Sequence, residues 1–312
     1  MSDERIHRFA HDAMACTWGI YVVGQDAAYA AYAAQAARAA FDEIDRLDLE
    51  LSRFIEHSDI ARINALGAGQ WVQVGIDVIE CLEAARQVHA DTNGAFDVTA
   101  GSFRTPDCGL RIAPSSVLSA AAPTTGPHLL RIDRTHRVVT VLADSIIVDL
   151  GAIGKGYAVA QAVAVLRDWS IGAGMVHSGQ STVYAFGSPP GESGWTVPIR
   201  NPLNPIASIG EVVLHDRALS GSGTLIHGPH ILDPRTGRPA SGPPGAWAVC
   251  PSAALSDAIS TAFMVMSVAE VEEYCRCHTE TTAMLWLERT PGVFELVRFG
   301  AEVELRTTNS ES

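Results

Sequence analysis

Four short segments carry residue types and spacings that can do chemistry. In "VDLGAIGKGY", Val148 to Tyr157, an apolar run ends at Asp149, three glycines flank Lys155, and a helical pattern follows. A glycine-rich entry into a helix offers backbone N–H groups to an anion, and a lysine beside them offsets phosphate charge. The spacing is neither that of a dinucleotide fingerprint nor that of a Walker loop. A phosphate cradle and a purely structural glycine turn both remain open on this segment alone. In "SDAIST", Ser256 to Thr261, Asp257 and Thr261 stand four residues apart, on one face of a helix that Ser256 is placed to cap. A carboxylate and a hydroxyl are hard oxygen donors suited to Mg²⁺. They are equally suited to a helix dipole partner and a hydroxyl bonded back to its own helix.

In "HGPHILDPRTG", His227 to Gly237, His230 precedes a short apolar run and Asp233-Pro234 opens a turn. An imidazole there can move a proton; Asp233 can orient it or cap the turn, and Arg235 can meet phosphate or an internal carboxylate. In "NGAFDVT", Asn93 to Thr99, Phe96 is a core or a stacking side chain and Asp97 an acceptor for a polar ligand edge. Cys275, Cys277 and His278 form a C-x-C-H cluster, but not with zinc-ribbon spacing, and six cysteines are too few for a disulfide scaffold.

These segments need elements to position them. The pattern predicts a strand over 18–23 and a long alanine-rich helix over 26–54, with Phe41, Ile44, Leu47 and Leu51 at helical spacing and a break near Asp48. It predicts a helical turn over 59–66 and a helix over 78–91 closed by Gly94. Short paired strands follow at 129–132 and 137–142, a strand at 145–150, and a helix at 157–169. The second half reads as strands at 173–177, 182–185, 195–199, 206–214 and 246–250, a helix at 256–268, and strands at 283–288, 293–299 and 302–306. Helices and irregular strands in this order predict an α+β fold rather than a doubly wound sheet. One domain over 1–306, with a loop-rich segment at 101–126 and a frayed tail at 307–312, accounts for the whole length.

The chain has 312 residues, with 22 Lys plus Arg against 35 Asp plus Glu, a net charge of −13. That balance opposes nucleic acid and anionic membrane surfaces, while an anionic small ligand would respond to local charges first. Hydrophobic residues at 47% and charged residues at 18% describe a folded chain rather than a disordered one. The polar start and the interrupted alanine run at 27–40 predict no signal peptide, no stable membrane insertion and a cytoplasmic location.

Taken together, "DAM" at Asp12 to Met14, "GAFDVT", "DLGAIGKGYAV", "HILDPRTGRP" and "SDAISTAF" occur in an order that resembles the ApbE family of FAD:protein FMN transferases. The resemblance implies a T-fold-like, ApbE-type layered sheet-and-helix architecture, with FAD as donor and Mg²⁺ as metal. It implies transfer of FMN onto a Ser or Thr hydroxyl of a recipient flavoprotein, with release of AMP. The recipient would carry a loop similar to Asp-Gly-x-Ser/Thr-Gly-Ala-Thr. By the same resemblance, Met14, Phe54, Ala95, Phe96, Asp97, Asp149, Lys155 and Ile231 contact FAD. Ala152, Asp257 and Thr261 hold the metal, His230 is the base, and Lys155 serves the reacting diphosphate. His227 and His177 are rival imidazoles. The chain departs from the family at Met14-Ala15-Cys16, where Met-Gly-Thr is usual, and at His177-Ser178-Gly179-Gln180, where Asn-x-Gly-Gly is usual. With water as acceptor the same parts make an FAD pyrophosphatase; without turnover they make a flavin-binding protein.

Overall fold

The computed structural model describes residues 5–24, 27–103, 125–223 and 231–306. In chain order the first half holds β1 (Arg5–Ala13), β2 (Cys16–Gly24), α1 (Ala27–Leu51), α2 (Asp59–Asn64), β3 (Trp71–Gln73), α3 (Ile76–Asp91), β4 (Leu130–Asp133), β5 (Val138–Val141) and α4 (Gly154–Asp168). The strand-rich part follows with β6 (Gly174–Ser178), β7 (Thr182–Phe186), β8 (Trp195–Asn201), β9 (Asn204–Leu214), β10 (Arg217–Gly223), β11 (Leu232–Asp233), β12 (Arg238–Pro239) and β13 (Gly245–Cys250). Last come α5 (Ala253–Phe263), α6 (Val268–Cys277), β14 (Thr282–Thr290), β15 (Val293–Gly300) and β16 (Leu305–Arg306).

Eight strands pair in the order β1-β2-β6-β7-β10-β13-β14-β15, every neighbour antiparallel. Period-2 alternation gives this sheet two apolar faces. In β7, Tyr184 and Phe186 join the larger core with α1, α3, α4 and α5, whereas Val183 and Ala185 join a second core with Trp195, Val212 and Leu214 of β8 and β9. β9 pairs with β8 on one side and β16 on the other in a three-stranded sheet, so the main sheet lies between a helical layer and a second sheet. This is the α+β layered architecture expected.

Helix α1 is alanine-rich because it must pack closely. Ala33, Ala36, Ala37 and Ala40 are buried on one face, continued by Ile44 and Leu47. It runs unbroken through Asp48 and ends at Leu51, earlier than 54. The end of α3 also differs in detail. Asn93, at φ 49°, takes the left-handed position, and the Gly94 N–H returns to the His89 carbonyl at 2.8 Å, a Schellman closure with Asn where glycine is usual.

Three expectations are corrected. Residues 145–150 form no strand beyond one bridge, Ala100 to Ile147, and begin with Ser145 in the left-handed region at φ 63°. Their backbone is satisfied by side chains instead: Asn64 brackets Val148 at 2.7 and 2.9 Å, and Ser102 Oγ accepts the Ile147 N–H at 2.9 Å. Ser252, not Ser256, caps α5; Ser256 lies inside the helix and donates to the Ala248 carbonyl at 2.7 Å. β1 and β10 are strands that the pattern did not reveal, the first because it is a polar edge and the second because it is built of Ser and Gly. Nearly all of the loop-rich segment, the 307–312 tail, and both His227 and His230 lie outside the described residues.

Candidate functional site

A cleft of about 810 Å³ opens where the glycine motif, one side of α5, the end of β6 with the turn after it, and the ends of β8 and β10 meet. It gathers Asp149, Ala152 and Lys155 from the glycine motif, and Asp257 and Thr261 from α5. Ala95, Phe96 and Asp97 form another wall, and Phe54 and Ile231 also line it. Residues more than 200 positions apart are thus brought together.

Asp257 is the buried centre of the site, 5% exposed. Its Oδ2 accepts the Gly156 N–H at 2.9 Å and its Oδ1 accepts the Thr182 hydroxyl at 3.0 Å. Burial pushes the carboxyl upward; the Lys155 ammonium and these two donors oppose the shift. The ammonium and the two donors each favour the charged form of this carboxyl, against the cost of burial. The backbone can come this close only because residue 156 is glycine: a Cβ there would stand 2.3 Å from the Ala253 carbonyl oxygen and 2.6 Å from the Asp257 Cβ. Beside it, Ser222 Oγ lies 3.1 Å from Thr261 Oγ1 and 3.0 Å from Ser260 Oγ.

Asp149 sits at the rim. Its Oδ1 accepts the Gly151 N–H at 2.9 Å, and its Oδ2 lies 3.0 Å from Arg53 Nε. Arg53 in turn lies over the Phe54 ring, 4.3 Å from its centroid. Phe54 is 81% exposed, an apolar ring held out beside the cleft. Asp97 turns inward: its Oδ1 accepts the Thr99 N–H and hydroxyl at 2.8 and 2.7 Å, and His89 Nδ1 lies 4.0 Å from its Oδ2. Phe96 is a core residue that also contributes to the cleft wall.

Other candidates fall elsewhere. Met14 packs against the larger core at the β1–β2 turn, and its neighbours Ala15 and Cys16 reach the cleft. Burial pushes the Cys16 thiol up, against the pull of Lys155. His177, the third imidazole candidate, does not line the cleft. It lies across Gly19, where a Cβ would meet its Nε2 at 2.2 Å, and is 3.1 Å from the Gly179 carbonyl; burial lowers its pKa. Arg235 is committed to carboxylates, 3.0 Å from Asp233 and 2.8 Å from Glu270, rather than to an anion. Cys275 is buried, Cys277 faces solvent near Glu273, and His278 stacks on Tyr274, so the C-x-C-H run does not converge. Among the described residues no three His, Cys, Asp or Glu side chains gather as a metal cluster.

The structure adds cleft residues that spacing did not reveal: Arg53, Cys16, Gln180, Arg200, Ser222 and Trp247. Arg53 had a signal in its place beside Phe54. Ser222 had one in the alternation of small residues in "ALSGSG". Arg200 and Trp247 had none, because strand pairing alone carries them here.

Comparison with known proteins points to one family. The FAD:protein FMN transferase of Salmonella typhimurium (strain LT2) is 27% identical over 288 residues, covering 84% of this chain and 79% of that protein. The apo form of Pseudomonas stutzeri flavinyl transferase ApbE shares the fold with a TM-score of 0.78 at 25% identity, covering 95% of each chain. The flavin transferase ApbE of Vibrio cholerae gives a TM-score of 0.81 at 20% identity, covering 95% of this chain and 97% of that one, and supports the fold. The ApbE family model matches residues 14–286, which include Asp149, Lys155, Asp257 and Thr261; this chain belongs to the ApbE family.

Proposed function

We propose that this protein transfers FMN from FAD to a Ser or Thr hydroxyl of a recipient flavoprotein and releases AMP. The observation that carries the reading is the meeting of Lys155, Asp257 and Thr261 in one cleft, in a chain similar to proteins named FAD:protein FMN transferase. The donor set fits Mg²⁺. Asp257 is a buried carboxylate whose surroundings lack enough positive charge to cancel the cost of burial. Thr261 adds a hydroxyl, and Ala152, which also lines the cleft, would offer its backbone carbonyl, all hard oxygens. These three residues would hold the ion, which when bound neutralises charge on the diphosphate.

The chain's own groups do the rest. Lys155, which lines the cleft at the start of α4, bears on the phosphates with its ammonium. Phe54, Ala95, Phe96, Asp97 and Ile231, which line the cleft, serve the flavin nucleotide, and the Arg53–Asp149 pair fixes the rim. The acceptor oxygen bonds to the FMN phosphorus, the phosphorus–oxygen bond to AMP breaks, and His230 takes the hydroxyl proton. Incubation with FAD, Mg²⁺ and a soluble protein bearing an Asp-Gly-x-Ser/Thr-Gly-Ala-Thr loop should add one FMN phosphodiester to the recipient by intact mass. Asp257→Ala should abolish the gain. Free FMN with an unmodified recipient would instead make the chain a pyrophosphatase, and FAD bound without AMP would make it a flavin-binding protein.

A further inference from the structure

Behind Asp257 lies a pair of hydroxyls that touches neither the cleft nor solvent. Ser220 on β10 stands directly opposite Thr182 on β7, so both side chains share one face of the sheet. Ser220 is 0% and Thr182 2% exposed. The Ser220 hydroxyl donates to Thr182 Oγ1 at 3.0 Å, and the Thr182 hydroxyl donates to Asp257 Oδ1 at 3.0 Å. Each hydroxyl has a single proton, so the chain runs in one direction and ends on an acceptor-only group. Thr182 is β-branched and stiff, and it sits in a strand paired on both sides, so its donor has a fixed aim. On the other oxygen the Gly156 N–H is fixed by α4. Two donors on two separate elements therefore hold a side chain that would otherwise rotate about two bonds, and each carboxylate oxygen keeps a second lone pair.

We infer that Thr182 and Ser220 are positioning residues that orient the Asp257 carboxylate for a divalent cation. The inference rests on the reading of Asp257 as a cation ligand. Outer hydroxyls of this kind set affinity by removing the cost of orienting the ligand when the ion arrives, and Val at 182 keeps the volume while deleting the donor. The pair belongs to a polar patch with Ser178 and Ser222 on the same sheet face, where Tyr184, Phe186, Ala218 and Ala248 are its apolar neighbours.

The test uses the whole protein without flavin, titrated with MnCl₂ while free Mn²⁺ is followed by electron paramagnetic resonance. Wild type should bind and Asp257→Asn should not. Thr182→Val should weaken binding about tenfold, and Thr182→Ser should return it to within about twofold of wild type. Ser220→Ala, which leaves Thr182 in place, should cost about threefold and decides the matter if the valine variant does not fold. Wild-type binding in both Thr182→Val and Ser220→Ala, or equal weakness in the Val and Ser variants, overturns the positioning role alone. Absence of Mn²⁺ binding by wild type overturns it together with the cation ligands proposed above.

Discussion

Ala15 has φ 58°, directly after Met14 at φ 48°, in the two-residue turn that joins β1 to β2. Two successive left-handed residues are the geometry of a type I′ hairpin, which favours Asn-Gly over side chains with a Cβ. The Ala15 methyl therefore costs stability at the spot where the family resemblance expects glycine. Ala15→Gly should raise unfolding stability by about 1 kcal/mol, read as a higher urea midpoint at unchanged slope. A lower midpoint would show that the methyl contributes packing worth more than the strain. The neighbouring departure at His177 is of another kind. Its imidazole replaces an amide, yet it fills space over Gly19 on the face away from Asp257, so the site tolerates it.

At the scale of elements, the site depends on how closely α4 passes α5. Gly156 is the point of contact, and it is also the N–H that holds Asp257. Gly156→Ala should force the helices apart at a cost of about 1–3 kcal/mol, seen as a lower midpoint in denaturant. Gly154→Ala is the matched control. Its Cβ would meet only Leu150 Cβ at 3.7 Å and Leu51 Cδ1 at 4.0 Å, and alanine is the better helix former there. If both variants were equally stable, the close approach of the two helices would not be what residue 156 is for. The helix periods in α1, α3 and α4 were legible because each buries one continuous stripe; α5 is buried on nearly every side, and the helix expected at 256–268 is instead α5 at Ala253–Phe263 followed by α6 from Val268. β10 was not, because Ser220, Gly221 and Ser222 show no apolar alternation although their neighbours are buried.

For the molecule as a whole, one sheet serves two cores. Val183, Leu219, Trp247 and Met284 face β8 and β9, while Tyr184, Ala218, Ala248 and Leu285 on the same strands face the helices. Neither layer can separate without exposing an apolar face of the sheet to water. We propose that residues 1–306 form one domain, and that calorimetry will show a single transition whose van't Hoff and calorimetric enthalpies agree. Two resolved transitions would divide the layers into independent units. Among the described residues no helix is long and apolar enough to cross a membrane.

Local order along the chain determined a good deal by itself: the helix stripes, the glycine entry to α4, the four-residue spacing that puts Asp257 and Thr261 on one face, and the order of motifs that marks the family. All of these are properties of a few consecutive residues, where propensity and periodicity act. The tertiary structure decided which chemistry each residue is free to do. Arg235 was open to phosphate until Asp233 and Glu270 claimed it, and His177 was a possible base until strand register turned it toward Gly19. Thr182 and Ser220 became partners of Asp257 only when β7 paired with β10 beneath α5. Pairing partners and burial depend on chain segments far apart, and a side chain's charge and hydrogen bonds follow from those neighbours rather than from its own position in the chain.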